Sequence, residues 1–404
     1  MLSEPLIELR DVSKSLGNKP VLTQISIKIY RGQITAIIGK SGSGKSVLLK
    51  HIIGLLEPDA GDVFFEGKPR AGMSSTEKRA LKAKFSYVFQ DTALFDFFTV
   101  FENIALPLKE RNAHTESEIQ RRVKDKLQQL DLHEIEQKYP SQLSGGMKKR
   151  VALARALVTE PEIVLFDEPT TGLDPIRKNA VHSMIQNYQR RFGFTGVVVT
   201  HEIPDIFFIS QRIIMIESGR IMIQGSPDAI QRSTDPIVKN FIDGLESPQD
   251  SLTGIATPSF GRRLLKQEMG RLQHHRIPFS IVLLTVDNLE EADRIVGHMA
   301  SQTVFKTFAN YIDQSTYVTD TCIRFDLNKI LVILPDTDYD RAEHFCRKLT
   351  RSMENNALFE TMEPGPGFCF SVSAGIAEAN SNSRLATLVA EAEKQQNIFY
   401  ECTI

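Results

Sequence analysis

A glycine-rich segment near the N-terminus, set between a β-branched run and an amphipathic run, most constrains how this chain can fold. Its residues are Gly39, Lys40, Ser41, Gly42, Ser43, Gly44, Lys45 and Ser46, which fit the pattern GxxxxGK[ST]. Ile34 to Ile38 precede it, and the helix-compatible run Val47 to Leu55 follows. Glycines let consecutive N–H groups surround an oxyanion at a helix N-terminus. The segment therefore predicts a phosphate-binding loop, with Lys45 on the outer phosphates and Ser46 on Mg²⁺.

A second apolar run, Ile163 to Phe166, ends in two acidic residues and complements this loop. It reads as a buried strand that Asp167 and Glu168 follow directly. Taken alone, adjacent acids at a strand end are more often a solvated turn, and a Gly/Ser-rich segment can be a plain turn. Together the two segments predict one nucleotide site, in which Asp167 holds the Mg²⁺ shell and Glu168 orients or deprotonates an attacking water.

Length and charge limit the classes of protein to consider. With 404 residues the chain exceeds one ordinary core, so two domains are expected. It has no apolar run of about 18 residues and no basic-then-apolar N-terminal signal, so we expect a cytoplasmic protein. Residues 1–247 hold 33 basic and 30 acidic residues (+3), and residues 248–404 hold 15 and 20 (−5). Neither half has the basic surface expected for nucleic-acid binding.

The cysteines all lie in the second half, and none belongs to a CxxC pair. They are Cys322, Cys346, Cys369 and Cys402. We expect reduced, buried thiols rather than a zinc site or a disulfide.

From about residue 6 to residue 245, short β-branched runs alternate with longer amphipathic stretches. The predicted strands are Ile25 to Ile29, Ile34 to Ile38, Ile163 to Phe166, Val197 to Thr200 and Ile213 to Ile216. Glu116 to Leu132 and Leu143 to Leu157 are predicted helices. This alternation predicts an α/β domain with a largely parallel core sheet. Turn-forming residues 244–251 break the pattern, which predicts one domain over residues 1–247 and another over residues 248–404.

The second region repeats the α/β pattern on a smaller scale. Its predicted helices are Phe260 to His275, Glu290 to Ile312, Asp340 to Met353 and Leu385 to Gln396. Its predicted strands are Phe279 to Val286, a hairpin within Cys322 to Leu334 around Asn328, and Phe368 to Gly375. Both regions are therefore predicted to be α/β.

Taken together, these motifs resemble the nucleotide-binding domain of ABC transporters over roughly residues 6–245. Further matches are Gln90 to the Q-loop, Ser144, Gly145 and Gly146 to the LSGGQ signature (here with Met147 for Gln), Asp174 to the D-loop and His201 to the switch histidine. The resemblance implies that Gln90 touches Mg²⁺ and the attacking water, and that His201 contacts the γ-phosphate. It also implies that the signature turn caps a nucleotide held by the opposite protomer. ATP and Mg²⁺ are thus the expected cofactors, and a homodimer is the expected working unit.

One position departs from the family pattern. Where the family stacks adenine on an aromatic residue, the segment Ser13 to Gly17 offers Leu16. Weaker base stacking is expected there, so the choice of nucleotide is less constrained at this position.

Three classes of protein share these motifs: transporter subunits, twin-cassette translation factors and DNA-repair ATPases. The chain has no second phosphate loop after residue 46, and the interval before the signature has no heptads and no cysteine. These observations favour a transporter subunit. Leu94 to Asn103 lies where transporter cassettes dock the membrane subunit. The stretch reads either as ordinary core or as a partner groove, and its density of Phe favours the groove.

Within transporters, Ser144 to Arg150 and Phe166 to Ile176 look most like the cassettes of MCE/Mla lipid transport systems. That resemblance implies an integral-membrane permease and an MCE-domain lipid-binding protein as partners. It also implies a peripheral position on the cytoplasmic side of the inner membrane. Importers of small polar solutes share most of these residues and remain an alternative.

Five segments of the second domain occur in the order seen in GGDEF domains, the diguanylate cyclase fold. They are residues 250–254, 281–287, 297–298, 334–338 and 371–377, and the resemblance covers roughly residues 248–404. Thr285 stands for the family's first metal-binding Asp, and Asp287 matches its second. Asp326 to Ile330 replaces the signature turn, without its two glycines and its metal-binding acid.

Other functional positions of that family are also changed. The guanine-contact positions fall at Asp293 and Gln302, and the inhibitory RxxD motif keeps Asp320 but has Tyr317 for its Arg. Since phosphoryl transfer depends on metal and positioned charge, we expect a degenerate domain without cyclase activity.

The sequence thus predicts a P-loop ABC nucleotide-binding domain followed by a smaller α/β GGDEF-like domain. The expected function is ATP hydrolysis that powers transport across the inner membrane, with lipid as the expected cargo. The second domain is expected to serve dimerisation, docking or regulation. The alternative is a signalling protein in which the GGDEF-like domain binds or makes a cyclic dinucleotide and the ATPase is regulatory.

Overall fold

The computed structural model describes most of the chain as two compact units. Outside the description lie residues 1–3, 90–91, 112–113, 204, 234, 236–237, 240, 243–247, 290, 292, 294–296, 357–370, 381–382 and 402–404, and only the backbone is described for residues 354–356, 385 and 401. The first unit comprises Met1–Leu173 and Ile185–Asn240, and the second comprises Asp174–Met184 and Phe241–Ile404. The segment Asp174–Met184 therefore packs with the C-terminal part of the chain, although the sequence places it in the first domain.

Strands and helices alternate along the first unit. The strands are β1 (Pro5–Leu16), β2 (Lys19–Tyr30), β3 (Ile34–Ile38), β4 (Ala60–Phe65), β5 (Lys68–Pro69), β6 (Phe85–Val88), β7 (Ile163–Asp167), β8 (Thr195–Thr200), β9 (Arg212–Glu217) and β10 (Arg220–Gly225). The helices are α1 (Lys45–Ile53), α2 (Ser75–Lys82), α3 (Val100–Glu110), α4 (Glu116–Gln129), α5 (Gly145–Leu157), α6 (Pro175–Phe192, which begins in the second unit), α7 (Asp205–Ile209) and α8 (Pro227–Gln231).

The central sheet of the first unit has the strand order β10-β9-β3-β8-β7-β6. Strands β9, β3, β8, β7 and β6 are parallel, and β10 pairs antiparallel with β9. β3 and β8 are buried along their whole length, as expected for parallel strands covered on both faces. The largely parallel core sheet predicted from the sequence is confirmed.

A smaller antiparallel sheet, in the order β2-β1-β4-β5, accompanies the central one. The sequence predicts only Ile25 to Ile29 of these four strands. In β2, Ile25, Ile27 and Ile29 are buried and the residues between them are exposed. This alternation is typical of a strand with one face on the core and one in solvent, and a parallel buried sheet does not show it.

In the described part of the second unit, a five-stranded antiparallel sheet packs against helices. Its strands are β11 (Phe279–Val286), β12 (Thr321–Arg324), β13 (Lys329–Pro335), β14 (Ser371–Glu378) and β15 (Asn397–Glu401), in the order β12-β13-β11-β14-β15. Its helices are α9 (Pro258–His275), α10 (His298–Ser315), α11 (Tyr339–Asn356) and α12 (Leu385–Lys394). The predicted α/β class and the β12–β13 hairpin are confirmed. Among the helices that the structure describes, none has the length and apolarity needed to cross a membrane.

The central strand β11 is buried throughout and feeds two apolar cores. Val282 and Leu284 belong to a core with α10 and α11, and Ile281 and Leu283 belong to a core with α9 and α12. Successive residues enter opposite cores because side chains alternate across a strand. The sheet therefore lies between two separate apolar cores.

Two predicted elements of the second domain have different limits in the structure. Glu290 to Ile312 is predicted as one helix, but Gly297 interrupts it with a φ of 85°, and α10 begins at His298. Glycine reaches this φ without the steric cost that a Cβ imposes. β14 runs to Glu378, three residues beyond the predicted end at Gly375.

The buried thiols of the second unit are Cys322 and Cys346. Both are free, and burial raises the pKa of each to about 12, so they stay protonated and unreactive near neutral pH. Cys369 and Cys402 lie outside the described residues.

Candidate functional site

Neighbouring parallel strands carry the predicted nucleotide residues to one edge of the central sheet. The phosphate loop follows β3, Asp167 ends β7 and His201 follows β8. β8 pairs with both β3 and β7. Since ligands bind in the crevice at the carboxyl ends of such strands, this topology brings the loop, the acids and the histidine together.

Close backbone packing fixes the shape of the phosphate loop. A Cβ on Gly39 would lie 2.3 Å from the carbonyl oxygen of Ile216 on β9, so only glycine fits there. Gly44 has a φ of 104° and precedes α1, which begins at Lys45. The loop thus ends at a helix N-terminus, where the helix dipole favours an anion. Its exposed members are Lys40, Ser41, Gly42 and Ser46.

Lys45, Glu168 and His201 form the charged centre of the site. Lys45 Nζ donates to the carbonyls of Gly39 at 2.8 Å and Lys40 at 3.0 Å. The same ammonium lies 3.6 Å from Glu168 Oε1, and its side chain is only 7 % exposed. His201 Nδ1 lies 2.8 Å from Glu168 Oε2. A buried cation, a carboxylate and an imidazole thus meet at the loop, which suits phosphate binding and proton transfer.

Backbone strain directs the Glu168 side chain into this centre. Glu168 has a φ of 49°, and its N–H donates to the Val199 carbonyl of β8 at 2.9 Å. Its Oε2 also accepts from Thr171 Oγ1 at 3.2 Å. A non-glycine residue in this region costs about 1–3 kcal/mol, and surrounding contacts must hold it there. The solvated-turn alternative is therefore wrong for Glu168, whose side chain is 15 % exposed.

Asp167 presents one oxygen to Tyr87 and keeps the other buried. The Tyr87 hydroxyl donates to Asp167 Oδ2 at 2.6 Å. Burial, this hydrogen bond and the carboxylate charge raise the pKa of Tyr87, so its hydroxyl stays a donor. Asp167 Oδ1 is buried without a hydrogen-bond partner in the part of the chain that the structure describes. An orphaned carboxylate oxygen at the same sheet edge as Ser46 fits a Mg²⁺ shell.

The signature turn is open to solvent. Ser144 caps α5, and its Oγ accepts from the Met147 N–H at 3.3 Å. Gly145 and Gly146 form the first helical turn and are exposed, and a Cβ on either would meet no described atom within 4 Å. The predicted helix from Leu143 begins two residues later, since Leu143 closes a 3-10 turn. This helix N-terminus can receive a phosphate brought by another molecule.

An aromatic loop (residues 94–98) precedes α3. The rings of Phe95, Phe97 and Phe98 have centroids between 4.8 and 5.7 Å apart, and Phe97 is 72 % exposed. Asn103, buried in α3, donates to the Phe95 and Phe98 carbonyls at 3.0 and 3.1 Å and accepts from the Phe95 N–H at 2.9 Å. The loop is therefore an exposed apolar surface, whereas Val100 and Asn103, in the second half of the predicted stretch, are buried in α3.

Arg155 connects the signature helix α5 to the segment before the aromatic loop. Its guanidinium donates to the carbonyls of Ala93 at 2.6 Å and Thr92 at 2.8 Å. Both residues have positive φ, 47° and 61°. Sequence reasoning missed Arg155 because no local signal separates it from a surface arginine. Two hydrogen bonds link the backbone before the aromatic loop to α5.

For two of the remaining predicted site residues, Leu16 and Asp174, the structure gives a position but no hydrogen bond or ion pair with the charged centre of the site. Gln90 lies outside the described residues. Leu16 ends β1 and is half exposed. Asp174 belongs to the second unit, where its Oδ1 accepts from the Arg177 N–H at 3.1 Å and caps α6.

In the second unit, Thr285 is paired across the sheet with a lysine. Thr285 Oγ1 accepts from Gln396 Nε2 at 2.7 Å. Lys329 lies opposite Thr285 in the β11–β13 pairing, and its Nζ lies 2.6 Å from Glu393 Oε1. A cation thus stands beside the position at which the GGDEF resemblance places a metal-binding Asp.

Asp287, Asp293 and Gln302 also have protein partners. Asp287 Oδ2 accepts from Ser373 Oγ at 2.6 Å. Asp293 is buried and pairs with a histidine of α10 at 3.0 Å. Gln302 Nε2 donates to Ser183 Oγ of α6 at 3.1 Å. Each of these three side chains therefore makes a hydrogen bond or an ion pair within the protein.

Two family models match separate parts of the chain. The family described as ABC transporter matches residues 22–171, and the family described as Diguanylate cyclase, GGDEF domain, matches residues 247–397. The first match contains the phosphate loop and the strand that ends in Asp167.

Individual relatives are similar to the first unit. Protein TRIGALACTOSYLDIACYLGLYCEROL 3, chloroplastic, of Arabidopsis thaliana is 42 % identical over 263 residues, which cover 61 % of this chain and 76 % of that protein. The Intermembrane phospholipid transport system ATP-binding protein MlaF of Escherichia coli K12 is 38 % identical over 240 residues, covering 59 % and 89 %. The structure of cbiO1 from Clostridium perfringens, described as part of the ABC transporter complex cbiONQ, aligns with a TM-score of 0.53 at 29 % identity, covering 59 % and 95 %.

These similarities define an ABC-type ATPase unit. The chain belongs to the ABC transporter family, as an MlaF-like ATPase fused to a GGDEF domain.

Proposed function

We propose that the first unit hydrolyses ATP to power a membrane transporter. The observation that carries this proposal is the contact of Glu168 with His201 at 2.8 Å and with Lys45 at 3.6 Å. Membership of the ABC family supports ATP as the nucleotide. Phosphoryl transfer depends on positioned charge more than on covalent chemistry, and these three side chains supply that charge.

Each residue has a distinct role in the proposed reaction. Lys45 binds the outer phosphate oxygens. Glu168 accepts a hydrogen bond from the attacking water and takes its proton as the water oxygen bonds to the γ-phosphorus. The bond from that phosphorus to the bridging oxygen breaks, and ADP leaves with that oxygen. His201, held by Glu168 through Nδ1, directs its other ring nitrogen to the γ-phosphate and stabilises the charge that develops there.

Ser46, Asp167 and Gln90 would hold Mg²⁺. The unpartnered, buried Asp167 Oδ1 supports this assignment, because the described surroundings offer that oxygen no hydrogen-bond donor. Bound there, the cation would neutralise phosphate charge.

The working unit of the proposed enzyme is a homodimer with two shared sites. The exposed Ser144, Gly145 and Gly146 at the start of α5 would bind the nucleotide held by the other protomer. Asp174 would cross the interface beside them, as the D-loop resemblance implies. ATP then acts as part of the contact between protomers, so dimerisation depends on ATP.

We further propose lipid cargo. The name of the E. coli relative assigns it to intermembrane phospholipid transport, and the two proteins align over 89 % of that relative. The proposed partners are an integral-membrane permease and an MCE-domain lipid-binding protein. The chain would then lie on the cytoplasmic side of the inner membrane, attached through the permease.

Reconstitution tests the cargo. The complex, purified from native membranes through a tag on this chain and placed in vesicles, should move a fluorescent phospholipid when ATP is added. The Glu168→Gln complex provides the matched inactive control. Movement of a small polar solute without movement of phospholipid would contradict the lipid cargo and leave the ATPase proposal intact.

The aromatic loop is the proposed docking surface for the permease. Three Phe rings in mutual contact, with Phe97 largely exposed, form an apolar patch on a backbone that Asn103 holds in place. Buried aromatic anchors dominate the free energy of such interfaces. Arg155 links the neighbouring backbone to α5, so docking and the ATP site would influence each other.

Phe97→Ala should weaken binding of the chain to membranes that carry the permease by about 30-fold, because it removes an anchor from the interface. ATP binding by the free chain should not change. The control is Leu55→Ala, which truncates another exposed apolar side chain, 60 % exposed, outside the aromatic loop. A sedimentation titration against membranes depleted of this chain measures both. Equal binding of the two variants would contradict the docking site.

The second unit is proposed to act by binding within the complex and to make no cyclic dinucleotide. Thr285 and Lys329 supply a hydroxyl and a cation where the cyclase resemblance requires acids for metal. An ammonium repels a divalent cation, so the loss of the acids and the presence of Lys329 both disfavour metal binding.

Incubation of the full-length protein with GTP and Mg²⁺ should give no cyclic dinucleotide detectable by mass spectrometry. The same assay with an active diguanylate cyclase as positive control sets the detection limit. Lys45→Ala, tested in parallel, spares GTP from consumption by the ATPase site. Cyclic dinucleotide above an enzyme-free blank in either protein would contradict the proposal.

A further inference from the structure

The first half of α6 has the burial of an internal helix. Residues 179–185 are buried without interruption, which corresponds to about two turns. A helix exposed to solvent on one side shows polar, accessible residues at every turn, and a run like this one needs packing on all sides. The segment Asp174–Met184 belongs to the second unit, and the C-terminal domain supplies packing for it.

One face of α6 contacts this domain through Ile176, Asn179 and Ser183. Their spacing of three and four residues places them on the same side of a helix. Ile176 packs against the core that β11 forms with α10 and α11. Ser183 Oγ accepts from Gln302 Nε2 at 3.1 Å, and both residues are buried. The C-terminal domain therefore binds this part of the helix through apolar packing and hydrogen bonds.

Arg324 is the centre of this contact. It is 0 % exposed, and its Nη2 donates to Asn179 Oδ1 at 2.6 Å. Its Nη1 donates to Asp250 Oδ2 at 2.9 Å, and its guanidinium lies 5.8 Å from the centre of the Phe305 ring. A buried guanidinium is costly unless it is paired and hydrogen-bonded, so the positions of its partners are tightly constrained.

Asp250, the partner of Arg324, is held by three further hydrogen bonds. Its Oδ1 accepts from the Leu252 and Thr253 N–H groups and from the Thr253 hydroxyl. Burial by itself would raise the pKa of Asp250, but the Arg324 charge and the Thr253 hydrogen bonds hold it below the ordinary value. The carboxylate is thus charged near neutral pH and anchors Arg324 to the domain, leaving Nη2 directed at Asn179.

Asp174 stands at the start of the helix that Arg324 holds. Its Oδ1 accepts from the Arg177 N–H and caps α6 five residues before Asn179. Five residues of α-helix span about 7.5 Å along a rigid axis. A contact that fixes Asn179 therefore fixes the position from which Asp174 extends.

We infer that Arg324 is a positioning residue for ATP hydrolysis: through Asn179 and the first turns of α6 it sets the position of Asp174, so the GGDEF-like domain controls the catalytic competence of the ATPase. This inference rests on the proposed role of Asp174 between paired protomers. The domain acts through a protein contact and needs no nucleotide of its own for it.

Asn179→Leu tests the inference in the full-length protein. The change keeps the side-chain size, removes the acceptor for Arg324 and leaves the Arg324–Asp250 pair in place. We expect kcat for ATP hydrolysis to fall about tenfold, within the range known for coupling residues, while KM for ATP stays within about twofold. Asn179→Asp keeps an acceptor opposite Arg324 and should restore at least half of the wild-type kcat.

Leu331→Ala is the matched control. Leu331 lies in the other core of the domain, with α9 and α12, so its truncation lowers the stability of the domain without touching α6. Below the melting temperature of the domain, kcat of this variant should equal that of the wild type. A loss of kcat equal to that of Asn179→Leu would show that general destabilisation is the cause and would overturn the inference.

Further variants keep the test decisive. If Asn179→Leu does not fold, Ser183→Ala combined with Gln302→Leu removes the second hydrogen bond without stranding a polar atom and should lower kcat about threefold. Asp174→Ala separates the two proposals. An unchanged kcat in Asp174→Ala contradicts the proposed D-loop role, whereas a reduced kcat there with an unchanged kcat in the folded α6 variants overturns the positioning inference alone.

Discussion

Glu168→Gln should lower kcat for ATP hydrolysis by about 10³-fold, the typical contribution of a general base. Glutamine keeps the shape of the side chain and can still meet Thr171 and His201, but it cannot take a proton from water. The affinity for ATP should be retained, because Lys45 and the phosphate loop are unchanged. Steady-state hydrolysis and equilibrium binding of ATP measure the two effects separately, and ATP-bound dimers should accumulate in the variant.

Glu162→Gln is the matched control for this substitution. Glu162 immediately precedes β7, at the opposite end of the strand from Glu168, and its Oε2 lies 3.1 Å from Lys84 Nζ. Glu162 also pairs with Arg31, and its own side chain is 20 % exposed. The same chemical change at that end should leave kcat within about twofold, since ion pairs whose cations are exposed, as those of Arg31 and Lys84 are, contribute little to the free energy of unfolding. If Glu168→Gln turns over ATP as fast as this control, Glu168 is not the base and the mechanism proposed for the site is wrong.

The framework of the ATP site could be predicted because its determinants are local in the sequence. The phosphate loop lies between a five-residue apolar strand, β3, and helix α1, and the acids follow a second apolar strand directly. Once the strands are parallel, their carboxyl ends must share one edge of the sheet. The approach of Asp167, Glu168 and His201 to Lys45 follows from that topology.

The contacts that orient these residues could not be predicted. The hydrogen bond from Tyr87 to Asp167 joins residues 80 positions apart, and its existence depends on the pairing of β6 with β7. The left-handed backbone of Glu168 has no signal in the sequence, because glycine and asparagine are the residues expected at such a φ. Periodicity reports which face of an element is buried and does not report its partner.

The packing partner of helix α6 could not be predicted from the sequence either. The sequence places residues 174–184 in the first domain, because they follow the acidic strand and the D-loop motif without a break. Arg324 contacts Asn179 across 145 positions, and an arginine in a short β-strand reads as a surface residue until this contact is seen. The departure of Thr285 from the cyclase pattern is visible in the sequence as a change of residue type, whereas its pairing with Lys329 is visible only in the structure.

Mixing two inactive variants should restore ATP hydrolysis if each site is shared between protomers. Lys45→Ala removes the phosphate-binding cation of one protomer, and Ser144→Arg fills its exposed signature turn. In a mixed dimer, one site combines both defects, and the other combines an intact Lys45 with an intact Ser144. Either parent homodimer has one defect in each of its two sites and should be nearly inactive.

The size of the recovery follows from the symmetry of a homodimer. An equimolar mixture that exchanges freely contains half mixed dimers, each with one intact site of two, so about a quarter of the wild-type rate is expected. Mixed dimers isolated through two different affinity tags should reach about half. The tags also provide the control, because they show that mixed dimers form.

A site built within one protomer predicts the opposite result. Each site of a mixed dimer would then carry one defect, Lys45→Ala in one protomer and Ser144→Arg in the other, and no intact site would exist at any mixing ratio. Isolated mixed dimers no more active than their parents would therefore contradict the shared site. Recovery would require that Ser144 act on the nucleotide bound by the Lys45 of another molecule, which the open N-terminus of α5 permits and a buried one would prevent.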